Sequence, residues 1–259
     1  MIDKWLSLPI AELVSILVGF YIFTASALVW VSYGPLTRNF IQSFRGITAA
    51  FYSGVVPLLG IMIGFLASDV WESNRKAAEV VRVEAASLTS LYGVVAVSDL
   101  PYEEISAAIR DYVSAVVGKE WETMQNGEAA PEAEMAQDRL LQIAARAQSG
   151  KESGAALNRL LLDFALKISE ARADRLKRST HSAENLKWIS VLFLAFVGQV
   201  SIASVHLERA RPQMAALAIF TSAVVVVMAL IATHDLPFTP PLSISSEPIA
   251  RVLAIVPEG

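Results

Sequence analysis

The sequence predicts an all-α membrane protein with four transmembrane helices and a helical-bundle insert between the second and the third. The first observation is composition: 54% of the 259 residues are hydrophobic and 18% are charged, whereas soluble domains have about 45–50% apolar and about 25% charged residues. The second is that the apolar residues form four uncharged runs, each close to the ~20 residues that a membrane helix needs. The third is a polar stretch between the two pairs of runs, rich in the helix-favouring residues Ala, Leu, Glu and Arg.

The first pair of spans occupies residues 1–70, with transmembrane segments predicted at about 13–32 and 46–68. Lys4 in front of an apolar core also fits a signal peptide. However, the apolar run continues through Val31, past the small residues of the possible cleavage site. We therefore favour a membrane span that is not cleaved off.

The second pair of spans occupies residues 188–235, with segments predicted at about 188–206 and 212–233. Between the pairs lies the polar insert, residues 71–187, and a proline-containing tail follows at 236–259.

Turn residues divide the insert into four predicted helices, at roughly 70–97, 101–125, 131–149 and 155–206. The breaks fall at Asp99-Leu100-Pro101, at Gln125-Asn126-Gly127 and between Ser149 and Gly154. The first and last of these helices are expected to continue from the second and into the third span without a break. The last also carries an apolar seam suited to packing on another helix: Leu157, Leu161, Phe164 and Ile168.

Basic residues predict the orientation in the membrane. Four spans put both termini and the insert on one side. Of the 21 Lys and Arg residues, four lie in the loops on the other side: Arg38, Arg45, Arg209 and Arg211. Because basic flanking residues stay in the cytoplasm, the termini and the insert are predicted to be cytoplasmic in a multi-pass inner (plasma) membrane protein.

The sequence lacks the residues and motifs that several kinds of protein chemistry require. The chain has no cysteine, its net charge is −4, and it carries no nucleotide-binding loop or hydrolase motif. The histidines, His181, His206 and His234, are too far apart to predict a shared metal site. We therefore expect no enzyme activity, no cofactor, no metal and no nucleic-acid partner. The spans also lack Asp, Glu, Lys and Arg. This absence disfavours proton-coupled transport but is compatible with a channel.

The second span carries a stripe of small or helix-breaking residues on one helical face: Ser53, Pro57, Gly60, Gly64 and Ser68. One interpretation is close helix packing, since Gly60 and Gly64 form a GxxxG motif. The other is a pore-lining face in a symmetric oligomer. Four spans enclose no useful conduit in a monomer, so the pore interpretation requires several copies.

The order of these features resembles the bestrophin-like family. The match rests on residues after the second span and on an Asp-x-Pro-Phe element after the fourth. These residues are Gly64-Phe65, Trp71, Ala77, Val81, Glu84-Ala85, Leu88, Leu91-Tyr92, His234 to Phe238, Ile244 and Glu247-Pro248. Pro240 departs from the pattern, which usually has a glycine there.

The resemblance implies a channel. True bestrophins are pentameric anion channels whose second span lines a hydrophobic neck, and in that register Pro57 and Ile61 fall on the neck face. The bulky aromatic neck and an acidic calcium clasp are not reproduced in this sequence, so calcium gating is not expected.

The leading hypothesis is a homo-oligomeric channel, a pentamer by resemblance, that passes small anions such as chloride. The predicted axis residues are Ser53 at the outer mouth, then Pro57, Ile61, Gly64 and Ser68. Arg38 and Arg45 would concentrate anions at the entrance, whereas Asp69 opposes anion flow unless an arginine such as Arg75 neutralises it. The alternative is a non-conducting membrane scaffold or sensor whose insert binds a partner.

Three structural expectations remain. Asp235 and Pro237 are predicted to end the fourth span, with Phe238 packing at the membrane interface. Glu84 lies on an apolar-leaning helical face, so it requires an ion pair with Arg172 or Arg175 unless it reaches water. Trp71 is expected near the membrane interface, like other aromatic residues at span ends.

Overall fold

The computed structural model describes residues 2–47, 50, 53–97, 102–147, 155–180, 185–240 and 242–256. The predicted breaks at 99–101 and 149–154 and the side chain of His181 lie outside the described residues. The chain forms two compact units: a membrane unit made of Met1–Glu72 and Ser182–Asp235, and an insert unit made of Ser73–His181 and Leu236–Gly259.

Every regular element in the described ranges is helical. The α-helices, in chain order, are α1 (Ile2–Leu6), α2 (Ile10–Tyr33), α3 (Arg38–Gln42), α4 (Val55–Ala96), α5 (Tyr102–Ala115), α6 (Trp121–Thr123), α7 (Pro131–Ala147), α8 (Ala155–Ser179), α9 (Asn185–Val205), α10 (Ala210–Ala232) and α11 (Glu247–Ala250). A π-helical turn, Val116–Glu120, joins α5 to α6, and 3-10 turns follow α6 and α11 at Met124–Asn126 and Arg251–Ala254.

Four helices of the described chain are long and apolar enough to cross a membrane: α2, α4, α9 and α10. The predicted all-α fold with four spans is therefore confirmed. Helix α4 has 42 residues, so the second span and the first insert helix are one continuous helix, as the sequence predicts.

The predicted continuity at the other end of the insert is wrong. Helix α8 ends at Ser179, Thr180 forms a bend, and α9 begins at Asn185. The hydroxyl of Ser179 donates to the carbonyl of Leu176 at 2.8 Å, and that of Thr180 donates to the carbonyl of Lys177 at 3.3 Å. These bonds satisfy carbonyl groups that lose their amide partners where a helix ends.

The membrane unit has an apolar core formed by all four spans. Its buried residues include Leu13, Leu17, Tyr21, Leu59, Leu66, Val70, Trp188, Val191, Val224 and Met228. Trp188 has no exposed surface and meets Trp5 edge to face, with ring centroids 5.5 Å apart.

A polar cluster around Gln199 ties three spans together. The Gln199 amide nitrogen donates to the carbonyl of Tyr21 at 3.1 Å and to the hydroxyl of Thr221 at 2.8 Å. Its amide oxygen accepts from the hydroxyl of Thr24 at 2.7 Å. These bonds join α9 to α2 and α10, and inter-helix hydrogen bonds of this kind stabilise membrane helix bundles.

The close helix contact in the membrane unit occurs at Gly198, not at the predicted GxxxG motif. A Cβ atom on Gly198 would lie 2.6 Å from Cζ of Phe220. At Gly60 and Gly64, no atom lies within 4 Å of an added Cβ. The small residues of the second span therefore make no close contact within the described chain.

We predict that Gly198→Ala destabilises the protein while Gly19→Ala does not. Both glycines lie inside spans, so both substitutions gain similar helix propensity. Only the first overpacks its site, at a cost of about 1–3 kcal/mol, because the position of Gly19 is open. Thermal unfolding in detergent measures the difference. Equal melting temperatures for the two variants would contradict the close approach of α9 and α10.

Candidate functional site

The predicted pore residues all lie on an open face of α4 and the turn before it. Ser53, Pro57, Gly64 and Ser68 are exposed, and Ile61 is 55% exposed. The inward-facing residues of the same span are Leu59, Leu66 and Val70. The structure thus brings the five predicted residues together on one face, and that face has no partner within the described chain.

The open face continues along α4 beyond the span. Trp71, Arg75, Glu79 and Arg82 are exposed and follow Ser68 at helical spacing. The opposite face is buried in the insert unit at Ala77, Val81, Glu84, Leu88, Leu91 and Val95. Within each unit, one side of α4 is therefore packed and the other side is exposed. We call the exposed face of the span, from Ser53 to Trp71, the α4 stripe.

The α4 stripe differs from a lipid-facing surface. Apart from Ile61, its span residues are small, whereas the large exposed residues Val56, Leu58 and Phe65 lie beside it. Lipid tails pair with large apolar side chains, and small residues at a helix surface permit the close approach of another helix or leave space for water. The stripe is consequently suited to face other protein copies or an aqueous path.

The charged residues near the stripe are mostly paired. Asp69 forms an ion pair with Lys187, at the start of α9, so its neutralising partner comes from the third span rather than from Arg75 as expected. Glu79 pairs with Arg82 at 2.8 Å. Arg38 and Arg45 are exposed in the loop after α2, which leaves their positive charge toward solvent.

Trp71 is the largest side chain of the α4 stripe. It is 46% exposed, and its ring stacks against His234 with centroids 5.9 Å apart and planes tilted by 32°. His234 follows α10, and its Nδ1 lies 2.9 Å from the carbonyl oxygen of Leu230. Because that oxygen accepts only, Nδ1 carries the proton, and the ring is oriented by the last turn of α10.

On the packed face of α4, Glu84 is fully buried and paired. It accepts from Arg175 Nε at 2.7 Å and Nη2 at 3.1 Å, and from the Tyr112 hydroxyl at 2.6 Å. Of the two expected partners, the structure pairs Glu84 with Arg175. The alternative in which Glu84 reaches water is excluded, since neither Glu84 nor Arg175 has exposed surface.

Arg172 belongs to a second pair with Glu120, which the sequence reading missed. Arg172 Nε lies 3.1 Å from both Glu120 oxygens, and Arg175 Nη2 reaches Glu120 Oε1 at 2.9 Å. Gln137 accepts from Arg172 Nη1 at 3.0 Å. The two acids and two bases form one buried network with balanced charge, which we call the Arg–Glu network.

Glu120 lies on the buried side that α5 begins. It follows the buried residues Val113 and Val116 by seven and four residues, which are same-face spacings in a helix. A second signal is that Arg172 and Arg175 continue the spacing of Leu161 and Ile168 on the buried side of α8. Two arginines on a buried face require a second acid.

Electrostatics in the Arg–Glu network favour its charged form. Burial would lower the pKa of Arg175, but the charge and hydrogen bonds of Glu84, with a contribution from Glu120, outweigh burial and raise it. Burial, with the charge of Glu84, raises the pKa of Tyr112 well above its ordinary value. Tyr112 therefore stays neutral and donates its proton to Glu84 at any physiological pH.

The Asp-x-Pro-Phe element lies at the change from one unit to the other. Helix α10 ends at Ala232, and Asp235 is buried. Phe238 is also buried, but its predicted place at the membrane interface is wrong. It packs edge to face on Trp121 at 5.8 Å, and Trp121 in turn lies 5.2 Å from the Arg175 guanidinium. The aromatic ring therefore supports the Arg–Glu network in the insert unit.

Within the described ranges, no group of three or more His, Asp or Glu residues is arranged to hold a metal ion.

We predict strong coupling between Glu84 and Arg175. Glu84→Gln leaves Arg175 with too little negative charge and should cost about 3–5 kcal/mol of unfolding free energy. Arg175→Gln in the same chain should recover much of that loss, because no uncompensated charge then remains. Chemical denaturation of the two single variants and the double variant gives the coupling energy. A value below ~0.5 kcal/mol would contradict a buried pair.

These features define a four-span, all-helical membrane protein whose second span continues into a separate helical unit. A family model for the bestrophin-like domain matches residues 18–249. The chain belongs to the bestrophin-like family.

Solved structures agree with that fold. A variant of a bacterial bestrophin homologue from Klebsiella pneumoniae is 13% identical, with a TM-score of 0.64, and the match covers 92% of this chain and 99% of that one. A second structure of that homologue, phased with zinc, is 13% identical with a TM-score of 0.64, over 91% and 98% of the two chains. A structure described only as a membrane protein is 12% identical with a TM-score of 0.66, over 92% and 99%. Identity this low supports the fold alone. Curated protein sequences gave no significant match.

Proposed function

We propose that the protein is a homo-oligomeric channel for small anions such as chloride, with the α4 stripe facing the central axis. One observation carries this proposal. In the membrane unit, the span of α4 buries Leu59, Leu66 and Val70, and it leaves the opposite side, which carries Ser53, Pro57, Ile61, Gly64 and Ser68, exposed and without a partner among the described residues. A symmetric ring of copies gives that side a common axis, and family membership favours the same arrangement, a pentamer by resemblance.

The charges near the stripe favour anions. Asp69 is neutralised by Lys187, and Glu79 by Arg82. Arg38 and Arg45, which precede α4 in the chain and are exposed, add positive charge at the outer end of the stripe. A path lined by one sign of charge raises the local concentration of the opposite ion. We also propose the inner-membrane orientation with cytoplasmic termini and insert, because basic residues flank the spans on that side.

The structure offers less support to the scaffold alternative. That alternative was motivated by the apolar seam of the last insert helix. Leu161 and Ile168 are fully buried, and Phe164 packs against the same core. The seam is thus largely used within the chain, so it does not call for a cytosolic partner.

We predict that Ile61→Trp blocks chloride flux while Ile219→Trp leaves it unchanged. Ile219 is a matched control, because it is an exposed isoleucine on another span, at 73% against 55% for Ile61. Only an indole on the axis would occlude a path between copies. Purified oligomers in liposomes, assayed by chloride efflux, give the flux per assembled oligomer, and size-exclusion chromatography verifies assembly.

Bilayer recordings under a salt gradient test the sign of the permeating ion. We expect the reversal potential to move toward the equilibrium potential of chloride. Assembled wild-type protein that passes no ion would overturn the channel proposal. A reversal potential near the equilibrium potential of the cation would agree with a channel but would contradict its selectivity for anions.

A further inference from the structure

We infer that Trp71 forms the narrowest point of the path and that His234 positions it. The inference rests on the proposed function, because it takes the α4 stripe as the axis-facing side. It adds a residue, at the end of the second span, that selects permeating ions by their size.

Side-chain size along the stripe is the first argument. The span positions are Ser53, Pro57, Ile61, Gly64 and Ser68, of which only Ile61 is of intermediate size. Three residues after Ser68, the stripe reaches Trp71, which remains 46% exposed. Where copies of α4 surround an axis, Trp71 is the largest side chain on the side that faces it, and because its ring is stacked on His234 of its own chain, it narrows the path without closing it.

The second argument is that the indole is held. His234 stacks against Trp71 at 5.9 Å, and its Nδ1 is bound to the carbonyl of Leu230 at 2.9 Å. The position of the ring on α4 is therefore set by the end of α10, the fourth span. An exposed aromatic ring without such a neighbour would sample several rotamers and would give a poorly defined constriction.

The measurement is the ratio of flux for a large organic anion, gluconate, to flux for chloride in liposomes. We expect Trp71→Ala to raise this ratio at least threefold and Trp71→Phe to raise it less. Phe65→Ala is the matched control, since Phe65 is 62% exposed but lies beside the stripe, and its ratio should equal that of the wild type.

His234 is tested as a positioning residue by the same ratio. We expect His234→Ala to raise it and His234→Phe to restore the wild-type value, because phenylalanine keeps the stacked ring. A role in stability alone would change the amount of assembled protein and not the size cut-off.

The absence of cysteine from the chain supplies a second variant if Trp71→Ala does not assemble. In Trp71→Cys, a bulky methanethiosulfonate reagent added to conducting oligomers should reduce chloride flux severalfold, and the wild type treated in the same way should be unaffected because it has no thiol. A wild type that conducts chloride, together with an unchanged ratio in Trp71→Ala or unchanged flux in modified Trp71→Cys, would overturn the constriction and leave the channel intact. A wild type without flux would instead overturn the proposed function.

Discussion

The insert unit depends on the Arg–Glu network, above all on the pair between Arg175 and Glu84. Both side chains are fully buried, and a buried charge without its partner is strongly destabilising. The helices that supply the partners must therefore meet in one arrangement. Helix α4 brings Glu84, the π turn brings Glu120, and α8 brings both arginines. An apolar core alone would tolerate small rotations of these helices, whereas the directed bonds of two guanidinium groups do not.

In the insert unit, this constraint determines which side of α4 packs. Because Glu84 is buried, residues on the other side of that part of the helix, such as Arg82, are exposed. In the membrane unit, the apolar core determines the side: Leu59 and Leu66 are buried, and Gly60 and Gly64 are exposed. The proposed conducting face is the side of the span that this core leaves uncovered.

Hydropathy and run length were sufficient to predict the four spans, because a membrane helix must be long, apolar and uncharged. Charge burial was sufficient to predict that Glu84 needs an arginine. The pairing of Glu120 with Arg172 and the end of α8 at Ser179 were not predicted. Glu120 and Arg172 lie 52 residues apart in sequence, so their pairing depends on how helices pack and not on the period of one helix. Gly198 and Phe238 were missed for the same reason: their roles depend on Phe220 and Trp121, whose positions only the tertiary structure reveals.

Packing within a single chain does not explain the two exposed glycines of the second span, Gly60 and Gly64. A glycine inside a helix costs roughly 0.5–1 kcal/mol relative to alanine. At Gly198 the close approach of Phe220 accounts for that cost, but at Gly60 and Gly64 no described atom is near enough for a methyl group to disturb. Within the described residues, no close contact compensates for these two glycines. Under the proposed function, the compensation comes from what the open side meets, whether the closely packed helix of another copy or the water and ions of a path between copies.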